Sequence, residues 1–279
     1  NRYLHEFFDE EELFRIDHYL AKPALDTLLH SRATHHTYEA LLHKEPVKAI
    51  EVTLFETLGV EKRGAFFDGV GAFRDVGQNH LLEMLALATM KLPTFSPRAI
   101  CAAREHFMKS LPRLTPEEAE THTVRAQYEG YRDIPGVDPT SHTETYFEVS
   151  FSLTHGPFNN VPVRLRSGKR MKQVQKDIVI YFDCDHTDSL HIELEPLPRL
   201  FTKKGSLITK MVEFQDPAMH IQYANEYALL FLHAWLGDPT LFPTEKEVEY
   251  AWAFADPIVK TWSTGVPPLR TYPQHTEVE

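Results

Sequence analysis

The sequence predicts an α+β fold in which a large, mostly antiparallel sheet carries helices packed on one face. The order of elements along the chain is helices, one strand, helices, many strands and helices again. Most of the later strands follow one another without a helix long enough for a parallel crossover, which favours antiparallel pairing. Neither a linker-like segment nor an internal repeat divides the 279 residues. We therefore predict one domain over residues 1–279.

The elements of the first half are predicted from spacing and from helix caps. Residues 24–43 carry leucines at helical spacing and predict a helix, while residues 49–55 alternate apolar and polar side chains and predict a strand. A turn-rich segment then leads into a long predicted helix over residues 74–90. Ser96 and Thr115 are each followed by proline, which is typical of an N-cap and the first turn of a helix.

The second half is rich in short predicted strands bounded by polar, glycine or proline residues. These strands cover residues 146–153, 163–166, 177–182, 190–194 and 207–212. Two helices follow. The first covers residues 225–236 and is ended by Gly237. The second begins at the capping box of Thr244 and Glu247 and continues to about Trp262.

Composition argues against several classes of function. The net charge is -11 and no basic stripe is present, so we predict no nucleic-acid partner. The sequence has no run of about 18 apolar residues and no leader-like segment, so we expect neither a membrane span nor a signal peptide. Cys101 and Cys184 lie far apart and predict free thiols in a reducing cytoplasm. His35 and His36 are adjacent but would diverge on a helix, so we predict no metal site.

A first polar segment, residues 15–22, could form an anion site. If the segment is helical, His18 and Lys22 share one face, and Tyr19 lies beside them. An imidazole, an ammonium and a phenol that converge on one point suit a phosphate dianion, which needs several donors and positive charge. The alternative is an ordinary surface helix with an ion pair.

Two further segments are rich in reactive side chains. Residues 73–82 place five polar or charged side chains directly before an apolar helix, and such side chains are costly there unless they are paired or face a cleft. Within them His80 could act as a general base, since its ordinary pKa suits neutral pH. The alternative is a buried, hydrogen-bonded histidine. In residues 161–170 a strand ends in a Ser-Gly turn that turns Lys169 outward, and cationic turns of this kind are also common on surfaces.

Together these segments resemble the motifs of the glucose-6-phosphate dehydrogenase family. Residues 15–22 resemble its substrate motif R-I-D-H-Y-L-G-K, and residues 68–80 its catalytic stretch D-x-x-G-x-x-R-D-x-x-Q-N-H. Residues 161–170 are similar to its V-P-F-x-x-R-T-G-K-R turn. Further collinear matches are residues 143–146, 237–242 and 256–258.

The resemblance implies roles for the residues that match. His80 would remove the proton of the sugar's C1 hydroxyl as hydride leaves C1, and Asp17 would hydrogen-bond the other ring nitrogen. Lys22 would reach the sugar oxygens near C1. Glu56 and Asp75 would accept hydrogen bonds from the sugar hydroxyls.

The resemblance also implies a phosphate-binding end of the site. His18 and Tyr19 would hold the phosphate, and Lys169 would reach it from the turn after a strand. The family has a second cation downstream of that lysine, for which Lys172 and Lys176 are both candidates here.

Family members bind NADP⁺ mainly through an N-terminal Rossmann domain with a glycine-rich turn. Here Gly69-Val70-Gly71 lacks a preceding strand and a third glycine, so we predict no Rossmann domain in this chain and assign no cofactor-binding residues. The resemblance implies an oxidoreductase of the pentose phosphate pathway that acts on glucose 6-phosphate in the cytoplasm as a homodimer or dimer of dimers. We expect this chain alone to be inactive.

Two alternatives belong to other classes: a non-catalytic sugar-phosphate-binding module, and a structural subunit. The presence of both His80 and Asp17 favours the catalytic interpretation, because a pure binding module needs no oriented base.

Overall fold

One nine-stranded sheet organises the computed structural model, which describes residues 3–34, 36–92, 94–154, 156–185, 187–195, 198–212 and 226–278. The strands are β1 (Val47–Phe55), β2 (Thr123–Tyr128), β3 (Tyr146–Ser152), β4 (Pro162–Gly168), β5 (Gln175–Phe182), β6 (Ser189–Glu195), β7 (Arg199–Lys204), β8 (Leu207–Val212) and β9 (Arg270–Tyr272). Their order across the sheet is β8-β7-β6-β5-β1-β4-β3-β2-β9. The pairs β1–β4 and β2–β9 are parallel and the other neighbouring pairs are antiparallel.

Eight α-helices and one π-helix accompany the sheet in the described part of the chain. They are α1 (Pro23–Thr34), α2 (His36–Lys44), α3 (Gly64–Phe67), the π-helix (Phe73–Leu81), α4 (Leu82–Thr89), α5 (Pro97–Lys109), α6 (Pro116–Thr121), α7 (Glu226–Trp235) and α8 (Glu245–Ser263). The predicted caps are confirmed: the hydroxyls of Ser96, Thr115 and Thr244 accept backbone N–H groups in the first turns of α5, α6 and α8.

The helices cover one face of the sheet, as the sequence predicts. In β1 the buried side chains of Ile50, Val52 and Leu54 face the helices, and the parallel partner strand adds Val163 and Leu165 in register. The π-helix contacts β1 and β4, α4 contacts β5, and α1 contacts β6 and β7. The central strands therefore carry the core, and the elements that bear the candidate site rest directly on them.

A buried ion pair joins the outer helices. The guanidinium of Arg104 in α5 is fully buried and donates from Nε to Oε1 of Glu247 in α8 at 2.6 Å. Its Nη1 and Nη2 donate to the carbonyl oxygens of Thr240 and Phe242. Removing one partner of such a pair leaves a buried charge without compensation, so this contact holds α5 and α8 together.

Several elements differ from the sequence prediction. The predicted helix over residues 74–90 consists of the π-helix followed by α4. The predicted helix over residues 24–43 corresponds to α1 and α2, and residue 35 between them lies outside the described residues. Strands β2, β7 and β9 were not predicted, because polar side chains in β2 and β7 and the short length of β9 hide the alternation. Residue 225, the predicted start of α7, is also outside the described residues.

Within the described residues, no helix combines the length and the apolar character that crossing a lipid bilayer requires.

Candidate active site

The centre of the candidate site is a hydrogen bond between Asp17 and His80. Oδ1 of Asp17 lies 2.7 Å from Nδ1 of His80, and the backbone N–H of Tyr19 donates to the same oxygen at 2.9 Å. Asp17 is buried, while 14% of the His80 side chain remains exposed. Because an ionised carboxylate only accepts hydrogen bonds, this contact assigns the ring proton to Nδ1 and leaves the lone pair on Nε2. A general base requires this arrangement.

A series of tight turns places the first segment. Backbone N–H groups of Leu20, Ala21 and Lys22 donate to the carbonyl oxygens three residues earlier, and α1 then begins at Pro23. The segment is thus turn-like rather than α-helical. Since its turns are short, the side chains of residues 17–22 stay close together at the start of α1.

The π-helix carries both Asp75 and His80. In a π-helix the backbone hydrogen bonds join residues five apart, so these two residues lie nearer to one side than they would in an α-helix. Gly77 lets the helix approach the sheet, since a Cβ there would meet Phe73 at 2.4 Å and Phe147 of β3 at 2.8 Å. Asp75 itself accepts from Nη2 of Arg63 at 3.2 Å.

Glu144 holds the beginning of the π-helix. Its buried carboxylate accepts the backbone N–H of Phe73 at 2.9 Å. Gly71 has a positive φ of 79° and lies so close that a Cβ would meet the Glu144 carboxylate at 2.5 Å, so a glycine is needed there on both counts. Burial raises the pKa of Glu144 to about 7, even though the backbone hydrogen bond favours the charged form.

Two rings enclose the imidazole of His80. The ring of Tyr19 stacks on it at 4.2 Å between centroids, and the ring of His18 meets it edge-on at 5.0 Å. Burial, reinforced by the charges of Glu56 and other carboxylates, raises the pKa of Tyr19, so its hydroxyl remains a donor. Burial, together with His80, lowers the pKa of His18, which favours a neutral ring.

The parallel pairing of β1 and β4 brings Glu56 and Lys169 together. Phe55 pairs with Gly168 at the carboxyl ends of these strands, so the next residue of each strand emerges at the same edge. Nζ of Lys169 donates to Oε2 of Glu56 at 2.7 Å. The same ammonium lies 5.4 Å from the ring centroid of Phe67. Both residues are predicted to contact the substrate, and in the structure they form an ion pair with each other.

The other expected cation, Lys22, lies in a cluster that the sequence did not reveal in full. Its Nζ donates to Oε1 of Glu226 at 2.8 Å and to Oε1 of Glu195 at 3.4 Å. The second oxygen of Glu195 lies 2.9 Å from Nζ of Lys176. Burial alone would lower the pKa of Lys22, but the hydrogen bond to Glu226 and the two carboxylate charges outweigh it and raise that pKa.

Of the two candidates for a second cation, only Lys176 lies near the first segment. Its ammonium is 5.9 Å from the ring centroid of Tyr19, and that of Lys22 is 5.6 Å from the same point. Lys172 instead pairs with Glu277 on the surface. Glu195 and Glu226 belong to no motif, so only strand pairing and the start of α7 could have indicated them.

Donor atoms of the right type for a metal ion occur in two places among the described residues. Asp17, His18 and His80 each offer one atom within 4.8 Å of the others, and His5, Glu10 and Glu245 form a similar group on the surface. In the first group, Oδ1 of Asp17 and Nδ1 of His80 are already hydrogen-bonded to each other. The adjacent pair His35 and His36 cannot be assessed, because the described side chains do not include them.

The described residues do not fit a dinucleotide. Gly69 and Gly71 follow α3 rather than a strand, and they lead into the π-helix. Within the described ranges, no turn of the G-x-G-x-x-G type joins a strand to a helix. Nothing described here would therefore cradle a pyrophosphate in the way that a Rossmann domain does.

Comparisons with known proteins show first which fold the chain shares and then which family it belongs to. A solved levoglucosan dehydrogenase in complex with NADH has a TM-score of 0.53 at 8% identity and is covered over 65% of its length, so the fold alone is shared with that sugar dehydrogenase. The model of the family described as glucose-6-phosphate dehydrogenase, C-terminal domain, matches residues 29–278. This chain therefore belongs to the glucose-6-phosphate dehydrogenase C-terminal domain family.

Individual relatives agree with this assignment. Glucose-6-phosphate 1-dehydrogenase of Helicobacter pylori is 32% identical over 275 residues, which are 96% of this chain and 61% of that protein. A solved glucose-6-phosphate dehydrogenase in complex with its substrate glucose-6-phosphate has a TM-score of 0.87 at 26% identity, covering 100% of this chain and 62% of that one. The solved glucose-6-phosphate 1-dehydrogenase of Mycobacterium avium has a TM-score of 0.81 at 27% identity, and the match covers 99% of this chain and 62% of that one. The chain thus spans about three fifths of the length of the relatives it matches.

The raised pKa of Glu144 predicts a pH-dependent stability. Between the ordinary pKa of a glutamate and about 7, the folded protein binds a proton at Glu144 that the unfolded chain releases. Stability is therefore lost as the pH rises through this window. Between about pH 5 and pH 8, the free energy of unfolding of the wild-type protein, measured in urea, should fall. We expect this fall to be about 2 kcal/mol smaller in Glu144→Gln. An equal decrease in both proteins would contradict this cause.

Proposed function

We propose that this chain forms the sugar-phosphate-binding and proton-accepting part of an enzyme that oxidises glucose 6-phosphate at C1 to 6-phosphogluconolactone, with NADP⁺ as the hydride acceptor. The observation that carries the proposal is the Asp17–His80 hydrogen bond at 2.7 Å, next to cations and carboxylates from separate parts of the chain. Membership of the family adds support, since a relative of the same fold was solved with glucose 6-phosphate.

In this proposal His80 is the general base. Nε2 accepts the proton of the C1 hydroxyl while hydride leaves C1, because an alcohol cannot release hydride and keep its proton. Asp17 holds the Nδ1 proton, which fixes the ring orientation and stabilises the imidazolium that forms. The stacked ring of Tyr19 limits rotation of the imidazole and shields it on one side.

The substrate is held from two ends. His18 and Tyr19 donate to the phosphate, Lys169 reaches it from the turn after β4, and Lys22 approaches the sugar oxygens near C1. Glu56 and Asp75 accept hydrogen bonds from sugar hydroxyls, and their charges make the site unfavourable for analogues that lack those hydroxyls. In this structure Lys169 donates to Glu56, so binding of the sugar phosphate requires these two groups to exchange partners.

NADP⁺ would supply the acceptor for hydride. Because the described residues do not fit a dinucleotide, we assign its binding mainly to a domain outside this chain, and we propose that the chain alone is inactive. A non-catalytic sugar-phosphate-binding module is the second candidate function. The oriented imidazole counts against that candidate, since binding alone does not require it.

Calorimetry of this chain tests the substrate assignment. We expect measurable binding of glucose 6-phosphate and almost none of glucose, because His18, Tyr19 and the lysines interact mainly with the phosphate. Glucose binding of equal strength would show that these side chains do not form a phosphate site.

Kinetics of a longer form that includes a coenzyme-binding domain test the base. We expect His80→Ala to leave the affinity for glucose 6-phosphate nearly unchanged and to lower turnover by about 10²–10⁴-fold, the usual contribution of a positioned base. Equal loss of binding and turnover would assign His80 to binding instead. The 279-residue chain is the negative control, and NADP⁺ reduction by this chain would overturn its proposed inactivity.

We also propose that subunits pair through the uncovered face of the sheet as a dimer or a dimer of dimers. This face combines ion pairs such as Arg166–Glu51 with the buried rings and aliphatic groups of Tyr146, Val179 and Phe201. Light scattering at micromolar concentration should give a dimer or tetramer, and a stable monomer would contradict the proposal.

A further inference from the structure

Two lysines and two glutamates form a continuous ion-pair cluster beside His80, which we call the lysine–glutamate cluster: Lys22, Lys176, Glu195 and Glu226. Lys176 lies in β5 opposite Leu54 of β1, so its side chain points to the helix side of the sheet. Glu195 ends β6 and pairs with Lys176 in the strand register. Glu226 begins α7. The cluster thus joins the sheet, α1 and α7 on the side where Tyr19 stacks on His80.

Within this cluster one carboxylate bridges two ammonium groups. Oε1 of Glu195 lies 3.4 Å from Nζ of Lys22, and Oε2 lies 2.9 Å from Nζ of Lys176. Both ammonium groups are within 6 Å of the Tyr19 ring centroid, at 5.6 and 5.9 Å. A phosphate would use the same contacts, because it also offers several acceptor oxygens to neighbouring cations. Glu195 therefore occupies the position that suits the anion of a substrate.

The charges of the cluster prevent the Glu195 carboxylate and a phosphate from binding the two lysines at the same time. The two lysines and two glutamates give the cluster no net charge. A phosphate dianion that entered while Glu195 remained in place would therefore be repelled by its carboxylate. The side chains of Lys22 and Lys176 are 18% and 12% exposed, which limits screening by water. Glu226 makes the shorter contact to Lys22, 2.8 Å against 3.4 Å for Glu195. Glu195 is thus the carboxylate that leaves Lys22 more readily.

We propose that Glu195 is an internal competitor for the anion site: its carboxylate bridges Lys22 and Lys176 in this structure, and it leaves both lysines when the phosphate of a sugar phosphate binds. Lys176 is then the second phosphate-binding cation, and Lys172 is not. Lys22 contacts the phosphate as well as the ring oxygen of the sugar, which is bonded to C1. Exchange of the Glu195 carboxylate for another monoanion gains no charge, whereas exchange for a phosphate dianion does. Dianionic esters therefore displace Glu195 more readily than monoanionic ones, although the cost of displacing this carboxylate is the same for both. This inference rests on the proposed function, because it assumes that a sugar phosphate is the ligand.

Calorimetry with two esters tests the competition. At about pH 8 glucose 6-phosphate is a dianion, since the second pKa of a phosphate monoester is about 6, whereas glucose 6-sulfate is a monoanion. We expect Glu195→Gln to tighten binding of both esters by the same factor, about threefold to tenfold, because the carboxylate that must be displaced is the same in both cases. A larger gain for the phosphate than for the sulfate would mean that Glu195 stays in place and repels the ligand, which would overturn the competition. Unchanged or weaker phosphate binding in this variant would overturn the competitor role and make Glu195 a support for the two lysines.

Matched variants locate the effect. Glu193 lies two residues away in β6, but the register irregularity between Lys176 and Asp177 pairs it with Asp177 on the other face, where it accepts from Arg199. Glu193→Gln should therefore change either affinity by less than about twofold. Lys176→Met should weaken phosphate binding by about tenfold or more, the usual worth of a charge-assisted hydrogen bond, and Lys172→Met should not. An effect of Lys172→Met that equals that of Lys176→Met would overturn the assignment of Lys176.

The binding results distinguish a failure of the proposed function from a failure of the proposed competition. Thermal unfolding shows whether each variant is folded, and only folded variants are compared. If neither the wild-type chain nor Glu195→Gln binds glucose 6-phosphate, the proposed function itself is wrong. If the wild type binds it and Glu195→Gln does not bind it more tightly, the proposed function stands and the competition is wrong.

Discussion

The site depends on one buried carboxylate. Asp17 accepts both the backbone N–H of Tyr19 and the ring N–H of His80, so a single oxygen links the turn before α1 to the π-helix. Because the first contact is local and the second joins distant segments, the geometry of the turn and the orientation of the imidazole are set together. The aromatic ring of Tyr19 then packs on the imidazole that its own backbone helps to orient. The cations and carboxylates around this unit can exchange partners, whereas the unit itself has little freedom.

Much of the fold follows from local chemistry that is visible in the sequence. The hydroxyl caps of Ser96, Thr115 and Thr244 act within one helical turn, so the starts of three helices could be predicted. The π-helix could not. Its apolar spacing also suits an α-helix, and the choice depends on tertiary contacts, namely the Glu144 carboxylate at its first turn and the close packing of Gly77 on Phe147.

Part of the candidate site could likewise be predicted from the sequence, and part could not. His80, Asp17 and the substrate residues lie in motifs that resemble one family in collinear order, so their meeting could be predicted from the resemblance, although spacing alone left simpler alternatives open. Glu195 and Glu226 belong to no motif and enter through strand pairing and the start of α7. The ion pair of Glu56 and Lys169 likewise requires the register of β1 with β4, which periodicity cannot provide.

The parallel pairing of β1 with β4 also has a consequence for the order in which the protein is built. Ile50 pairs with Val163, so the connection between these neighbouring central strands contains the π-helix, four α-helices and two further strands. Closing so long a loop has a large entropic cost before the contacts compensate for it, and topologies of this kind fold slowly. The contact of Glu56 with Lys169 is therefore a late event in folding, and a nascent chain forms this part of the candidate site only after both strands have left the ribosome.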